Sequence, residues 1–450
     1  MVRFLLAALN PQLGAIAANA EALRAARALA AGRGAALLVT PEASLSGAPA
    51  ADIAARPELL DACEAALQSL AAETADGGPG LLVGAPWREA GRLRSGILLL
   101  EGGKVMARRA GHALPHGADP RLTPGPAPGP MAFRGLRLGV MSGADADDPA
   151  IAETLEETGA DMLLSLAAAP FAGEPEDRAS DAAVARVVET GLPFLGLGLL
   201  GGQGPWVHPG GGFVLNADRR LAARLPAFQS GPLLVQWQEG EAGWRCVPQA
   251  LPEAMPPQER LWRVLLLAVA DAVAKGGYAG VMLDMSGGAA AALLMEVARA
   301  AGLRVFPVGG EEAAVPSPKD DAALEALAAA RDALLLNAAT ADRRALGLGS
   351  RAGHLAPLAE IWPGELAALA AARGLPPPSL DGGTEAMLRG LLAEKPVDAL
   401  AAQGYDRAEV SRLWRALAAA AHKRRQAPAA LRLGRGHCDP FSNGMTGLLP

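Results

Sequence analysis

A chain of 450 residues with 51% hydrophobic and 20% charged positions carries enough apolar side chain for more than one globular core, and that composition excludes a disordered polymer. Aromatic residues make up only 4%, so the cores must be built from Ala, Leu and Val. A formal charge of −6 leaves no electrostatic footprint for nucleic acid or for an anionic membrane, and no uninterrupted apolar run reaches the length of a membrane span.

The opening "MVRFLLAALNPQLG" has one basic residue and an apolar run that stops at Asn10 and Pro11, so it reads as a first β-strand rather than as a signal peptide. "AALLVTPEASLSG" then ends a strand in a loop, and "GLLVGAPW" and "GILLLEGGKVMARR" read as strands with a hairpin between them. "LRLGVMSG" and "ADMLLSLAAAPF" are further strands around the helix "AIAETLEETG". This alternation predicts a layered α/β domain over residues 1–246. The Pro-rich stretch "VPQALPEAMPPQE", residues 247–259, interrupts all periodicity and reads as a linker. Residues 260–450 resume with the helix "RLWRVLLLAVADAVAKGG", the strand, turn and helix of "GVMLDMSGGAAAALLMEVARA", the strand "LRVFPVGG", the helix "DDAALEALAAARD" and the strand "ALLLN". That β-α-β-α-β order predicts a doubly wound parallel sheet. The tail "GYDRAEVSRLWRALAAAAHKRRQAP" reads as an amphipathic helix ending in a basic cluster. Cys63, Cys246 and Cys438 lie too far apart for a disulfide framework or a metal knuckle, which points to a cytoplasmic protein with no metal site.

Several segments carry a resemblance. "LNPQLGAIAANA", "PEASLSGAPAADIAARPELL", "LLVGAPWRE", "GPMAFRGLRLGVM", "ETGLPF", "LGGQ", "GGFVLNADRRL", "GWRCVP", the Ser-Gly-Gly turn and "HKRRQAP" follow one another in a single order. In these the N-terminal half resembles the nitrilase-like glutaminase domain, and the C-terminal half the ATP-pyrophosphatase domain, of glutamine-dependent NAD(+) synthetases. The resemblance implies an αββα nitrilase-like sandwich followed by a shortened ATP-pyrophosphatase-like domain. In that family a Glu-Lys-Cys triad hydrolyses glutamine. The ammonia passes to a second site, where ATP adenylates nicotinate adenine dinucleotide and ammonia displaces AMP.

Carried over position by position, the glutamate of the triad is Glu42, but the lysine falls on Gly111 and the cysteine on Gly143. Amide hydrolysis through an acyl-enzyme needs an activated nucleophile, and glycine has none. Neighbouring substrate positions are erased in the same way, as Ala167, Ala169, Gly198, Leu199, Gly204 and Pro205. Cys63 sits in a helical stretch and Cys246 reads as a buried structural thiol, while His112 and His116, which flank Leu114 and Pro115, read as loop histidines. The family's phosphate loop keeps Ser286, Gly287 and Gly288, while its Asp and second Ser positions are Ala290 and Ala291. Backbone amides of such a turn hold an anion without side chains, so the resemblance implies weak ATP binding there and no Mg²⁺. The second nucleotide motif falls on Ala339, Thr340, Ala341, Asp342 and Arg343 with none of its characteristic polar residues, and the family's lysine beyond it falls on Ala359. Between Pro307 and Leu334 the chain is too short for a βα unit that the family places there.

Two functions compete on these residues. One is a non-catalytic relative kept for binding, scaffolding or regulation, as a homo-oligomer or in association with an active NAD synthetase. The other is a divergent active NAD(+) synthetase that amidates nicotinate adenine dinucleotide with ATP, using Asp284, Glu311 or Glu312 as replacement metal ligands. Loss of polar chemistry at two sites, with apolar periodicity intact, favours the first. A decaying gene product is a third reading.

Overall fold

The computed structural model describes residues 1–434 except 50–51, 54–55, 115–119, 174–176, 311–314, 317, 319 and 379–381. Pro115, His116, Glu311, Glu312 and Cys438 therefore lie outside the described residues. The chain divides into two compact units, residues 1–203 with 208–254, and residues 204–207 with 255–450.

Through residue 246 the strands, in chain order, are β1 (Val2–Ala7), β2 (Leu37–Val39), β3 (Gly80–Glu89), β4 (Arg92–Glu101), β5 (Lys104–Ala110), β6 (Met131–Phe133), β7 (Leu136–Ser142), β8 (Met162–Ala167), β9 (Phe194–Gly198), β10 (Leu200–Gln203), β11 (Trp206–Pro209), β12 (Gly212–Leu215), β13 (Leu221–Leu225), β14 (Pro232–Gly240) and β15 (Gly243–Cys246). Among the described residues, all of these but β10 and β11 form a seven-stranded sheet, ordered β15-β14-β1-β2-β3-β4-β5, and a six-stranded sheet, ordered β13-β12-β9-β8-β7-β6. β4 and β5 pack against β7, so the two sheets lie face to face. Alternation along the strands explains the layers. Leu5, Leu38, Leu81 and Val83 bury one face in a cluster with Ile16, Ala20 and Leu23 of the helix Ile16–Gly32 and with Cys63 and Leu67 of the helix Pro57–Glu73. Their neighbours Phe4, Leu6, Leu37, Val39 and Leu82 are equally buried on the other face. The helices Pro149–Glu157 and Asp177–Thr190 cover the second sheet through Ile151, Leu155, Ala183 and Val187. The result is an αββα sandwich.

The second unit begins with the helix Pro257–Gly276, followed by β16 (Gly280–Asp284), the helix Ala289–Ala300, β17 (Val305–Val308), the helix Asp321–Ala329, β18 (Ala333–Leu336), the short helix Ala341–Ala345 and β19 (Leu355–Ala356). β20 (Ala429–Ala430) completes a parallel sheet in the order β17-β16-β18-β19-β20. Met282 and Leu335 face a cluster with Leu324 and Ala328 of the helix Asp321–Ala329. Val281, Leu283 and Leu334 alternate to the opposite side, so the sheet is doubly wound. Among the described residues no helix is long and apolar enough to cross a membrane.

Candidate functional site

Glu42 lies in the loop that follows β2, and its neighbours press that loop flat onto β3. Buried Thr40 donates through Oγ1 to the Leu82 carbonyl (2.8 Å) and lies 2.9 Å from Ser44 Oγ, which accepts the Gly84 amide at 3.0 Å. Gly84 is required by this approach, because a Cβ there would fall on the Pro41 carbonyl, the Ala43 amide and, at 2.5 Å, Glu42 Cα. Ala43 turns through a left-handed φ of 60° to complete the bend.

Glu42 keeps some exposure as a residue, but its carboxyl group is enclosed, and burial pushes its pKa up to about 7. The Ala168 amide opposes that rise by donating to the carboxylate, the charge of Asp145 adds to it, and the Ser142 hydroxyl, buried and without a well-aligned partner, opposes it. Gly143 follows β7 with φ of 62° and leads through a turn to the helix Pro149–Glu157. Such a strand–turn–helix bend is the geometry that presents a nucleophile in many hydrolases. A Cβ on Gly143 would stand 3.4 Å from Glu42 Oε2 and 3.8 Å from Oε1. Gly111 is buried, and a Cβ on it would stand 3.5 Å from the Ser142 carbonyl, next to Gly143. The structure thus brings Glu42, Gly111 and Gly143 together, and two of the three have no side chain to contribute.

Asp145 is a site residue that the sequence reading missed. Its buried carboxylate accepts the amides of His112 and Ala113, both at 2.8 Å, and of Ser142 at 3.0 Å, which ties the loop bearing Gly111 to the end of β7 just before Gly143. Burial raises its pKa while those three amides pull the other way. The only signal was an acid two positions after Gly143 in "GVMSGAD". His112 takes a local role, with Nδ1 2.9 Å from the Gly125 carbonyl. Leu199 is fully buried in an apolar cluster with Ala43 and Ala48, against Ala168, so the wall behind the Glu42 loop is hydrocarbon. Cys63 and Cys246 are buried free thiols, and burial pushes each up to about 12, far from a reactive thiolate. Chemically, Glu42 exchanges a proton near neutral pH, but the turn that would present a nucleophile to it ends in hydrogen.

In the second unit the turn after β16 keeps its shape. Ser286, Gly287 and Gly288 are exposed, and Gly288 caps the helix Ala289–Ala300 at φ of 62°. Asp284 accepts the Ser286 amide at 3.0 Å, which occupies one of the donors an anion would use and makes this acid a cap. Ala290 and Ala291 are 7% and 0% exposed, and the buried methyl group of Ala291 lies against the turn, 3.3 Å from where a Cβ on Gly287 would stand. No group of three or more His, Cys, Asp and Glu among the described residues is arranged to hold a metal ion. Thr340 donates through Oγ1 to Asp342 Oδ1 (2.6 Å) at the head of the helix Ala341–Ala345, and Ala359 is buried. Asn337 Nδ2 donates to the carbonyls of Ser350 (3.0 Å) and Ala352 (2.8 Å), and its Oδ1 accepts the Ala339 amide at 3.0 Å.

These two units define an α/β protein with a nitrilase-like sandwich followed by a parallel sheet of the ATP-pyrophosphatase type. No protein-family model matches the chain. Over 300 residues it is 36% identical to the glutamine-dependent NAD(+) synthetase of Rhodobacter capsulatus, an alignment that covers 66% of this chain and 54% of that protein. It is 28% identical over 322 residues to the Synechocystis protein of the same name, covering 66% and 57%. The chain spans about half the length of the curated relatives it matches. Among solved structures, the Acinetobacter baumannii glutamine-dependent NAD+ synthetase in complex with ADP superposes with a TM-score of 0.76 at 20% identity, covering 95% of this chain and 94% of that one. The Cytophaga hutchinsonii enzyme gives 0.75 at 16%, covering 98% and 96%. These similarities relate the chain, in sequence and in fold, to glutamine-dependent NAD(+) synthetases.

Proposed function

We propose that this chain is a non-catalytic relative of glutamine-dependent NAD(+) synthetases that serves NAD biosynthesis in the cytoplasm through binding, scaffolding or regulation. Its assembly partner is a second copy of itself or an active NAD synthetase. The observation that carries the reading is the pair of glycines at the Glu42 carboxyl. A side chain at Gly143 would begin 3.4 Å from Glu42 Oε2, and none is there. With neither thiol nor ammonium at the two glycine positions, glutamine hydrolysis has no route to an acyl-enzyme.

The synthetase side supports the same reading. Ala290 and Ala291 are buried methyl groups that offer no ligand, and Asp284 already holds the Ser286 amide. The residues of the turn do not fit a Mg²⁺ ion, so no step of adenylation is assigned to this chain. ADP is bound by the Acinetobacter relative, and we assign to this chain a weak, Mg²⁺-independent affinity for ATP through backbone amides at Gly287 and Gly288. The test is a turnover assay of the purified chain with glutamine, ATP and nicotinate adenine dinucleotide, alongside ATP titrations with and without Mg²⁺. Neither ammonia nor NAD forms, and Mg²⁺ leaves the titration unchanged. NAD synthesis by the unmodified chain would instead make it a divergent active synthetase and refute the proposal.

A further inference from the structure

The two glycines beside Glu42 leave room whose lining is chemically one-sided. Among the described residues outside its chain neighbours, a Cβ on Gly111 would meet only two atoms within 4 Å, the carbonyl oxygens of Ser142 at 3.5 Å and of Ala113 at 4.0 Å. Chain neighbours again apart, the three atoms nearest a Cβ on Gly143 belong to the Glu42 carboxyl, with Oε2 at 3.4 Å, Oε1 at 3.8 Å and Cδ at 4.0 Å. Carbonyl and carboxylate oxygens accept hydrogen bonds and donate none.

Ser142 adds a further polar atom at the same place. It is 1% exposed at the end of β7, and its Oγ acts on the Glu42 carboxyl yet has no well-aligned hydrogen-bond partner. The Ala168 amide donates to that carboxyl, which leaves lone pairs on both oxygens to be met. Of the charged groups packed here, Asp145 is a second acid whose charge acts on Glu42, while Arg109 and His112 act on Asp145. Asp145 is already satisfied by the amides of His112, Ala113 and Ser142, so Glu42 is the carboxylate left to pair.

An enclosed carboxylate is costly when ionised unless a cation with hydrogen-bond donors reaches it. The two acids repel carboxylates and phosphates, and hard metal ions gather about six or more oxygens around themselves. An ammonium group is smaller in its demands, since it carries one positive charge and three or more N–H donors and no acceptor. We propose that the Glu42 carboxylate, the Ser142 hydroxyl and the carbonyls beside Gly111 form a binding site for a small primary ammonium ion, either ammonium itself or a protonated short alkylamine. The proposal rests on the reading of this site as non-catalytic, because it is the bare backbone at Gly111 and Gly143 that makes the room.

The test is thermal melting of the full chain over concentration series of ammonium, ethylammonium, tetramethylammonium and potassium chlorides, at about pH 8 and one ionic strength, with affinities read from the rise in Tm. Ammonium and ethylammonium raise Tm, whereas tetramethylammonium, which has no N–H, and potassium do not. The tighter of the first two names the source. At about pH 5 the Glu42 carboxyl, pushed up to about 7, is protonated and the response is lost. Glu42→Gln keeps the shape, removes the charge and weakens both ligands by roughly tenfold or more, which separates its part from those of Asp145, Arg109 and His112. Gly111→Lys tethers an ammonium in the same room and abolishes the response to free amines. Glu239→Gln removes an exposed acid from β14 and leaves the response unchanged. A parent chain that responds to ammonium no more than to potassium, or a Glu42→Gln variant with the parental response, overturns the proposal. Ammonia release from glutamine in the turnover assay would sink the reading on which it rests, and the melts contain no glutamine, so the two failures are told apart.

Discussion

Restoring the missing nucleophile with Gly143→Cys probes the site most directly. The new Cβ meets Glu42 Oε2 at 3.4 Å, an ordinary van der Waals distance, so sterics do not forbid it. The backbone does resist it, because φ is 62°, and a side chain in the left-handed region costs about 1–2 kcal/mol. The variant therefore folds, with stability lower by that amount in urea. Its thiol faces a carboxylate above pH 7, where Glu42 is ionised, so the like charge raises the thiol pKa and slows alkylation. Adding Gly111→Lys supplies a cation beside Ser142 and reverses that effect. The assay is the pH profile of iodoacetamide labelling resolved by peptide mass spectrometry, for which Cys63 and Cys246, both pushed up to about 12, give little background. Labelling of Cys at position 143 should shift to lower pH in the double variant relative to the single one. Glutamine hydrolysis by the single variant, or identical labelling profiles, would refute the reasoning.

Three further outcomes follow from the same geometry. Glu42 has a folded pKa of about 7 against 4.5 for the free group, so its contribution to stability is intact below 4.5 and is lost as pH rises through 7, at a cost of about 3 kcal/mol. Glu42→Gln should thus unfold like the parent at pH 4 and resist urea better at pH 8, and denaturation curves at the two pH values check it. Gly84→Ala drives a methyl group onto the backbone of Pro41, Glu42 and Ala43, and should lower stability by about 1–3 kcal/mol or more in a thermal melt. Asp145→Ala strands the amides of His112, Ala113 and Ser142 and should cost about 3 kcal/mol, with Asp145→Asn milder because its Oδ1 still accepts the amides of His112 and Ala113 and only that of Ser142 is left to face a second donor.

Ala290 and Ala291 stand where the family's phosphate loop carries its Asp and second Ser. With those residues 7% and 0% exposed, an Asp there is a buried carboxylate first, and the variant Ala290→Asp should lose several kcal/mol in denaturant before it gains any affinity.

The local alternation of apolar residues determined by itself that β16, the helix Ala289–Ala300 and β17 would follow one another in a parallel unit, and that β3 and β4 would pair across a tight turn. These are short-range patterns, since period and turn residues act within a few positions. The positions of Glu42, Gly111 and Gly143 were legible only through resemblance, and no spacing along the chain says that the three converge. That convergence depends on the packing of β4 and β5 against β7. Asp145 escaped the sequence reading for the same reason, because two of its three amide donors, His112 and Ala113, stand 33 and 32 residues before it. The surroundings of the basic run at His422–Arg425 were the least legible of all. "HKRRQAP" looks like a solvated basic run, and only the sheet order, which lays β20 beside β19, folds it back over Arg344, Gly347 and Arg351. Charge on a sequence is a property of residues, whereas a charged cavity is a property of distances between segments, and those are set by tertiary packing alone.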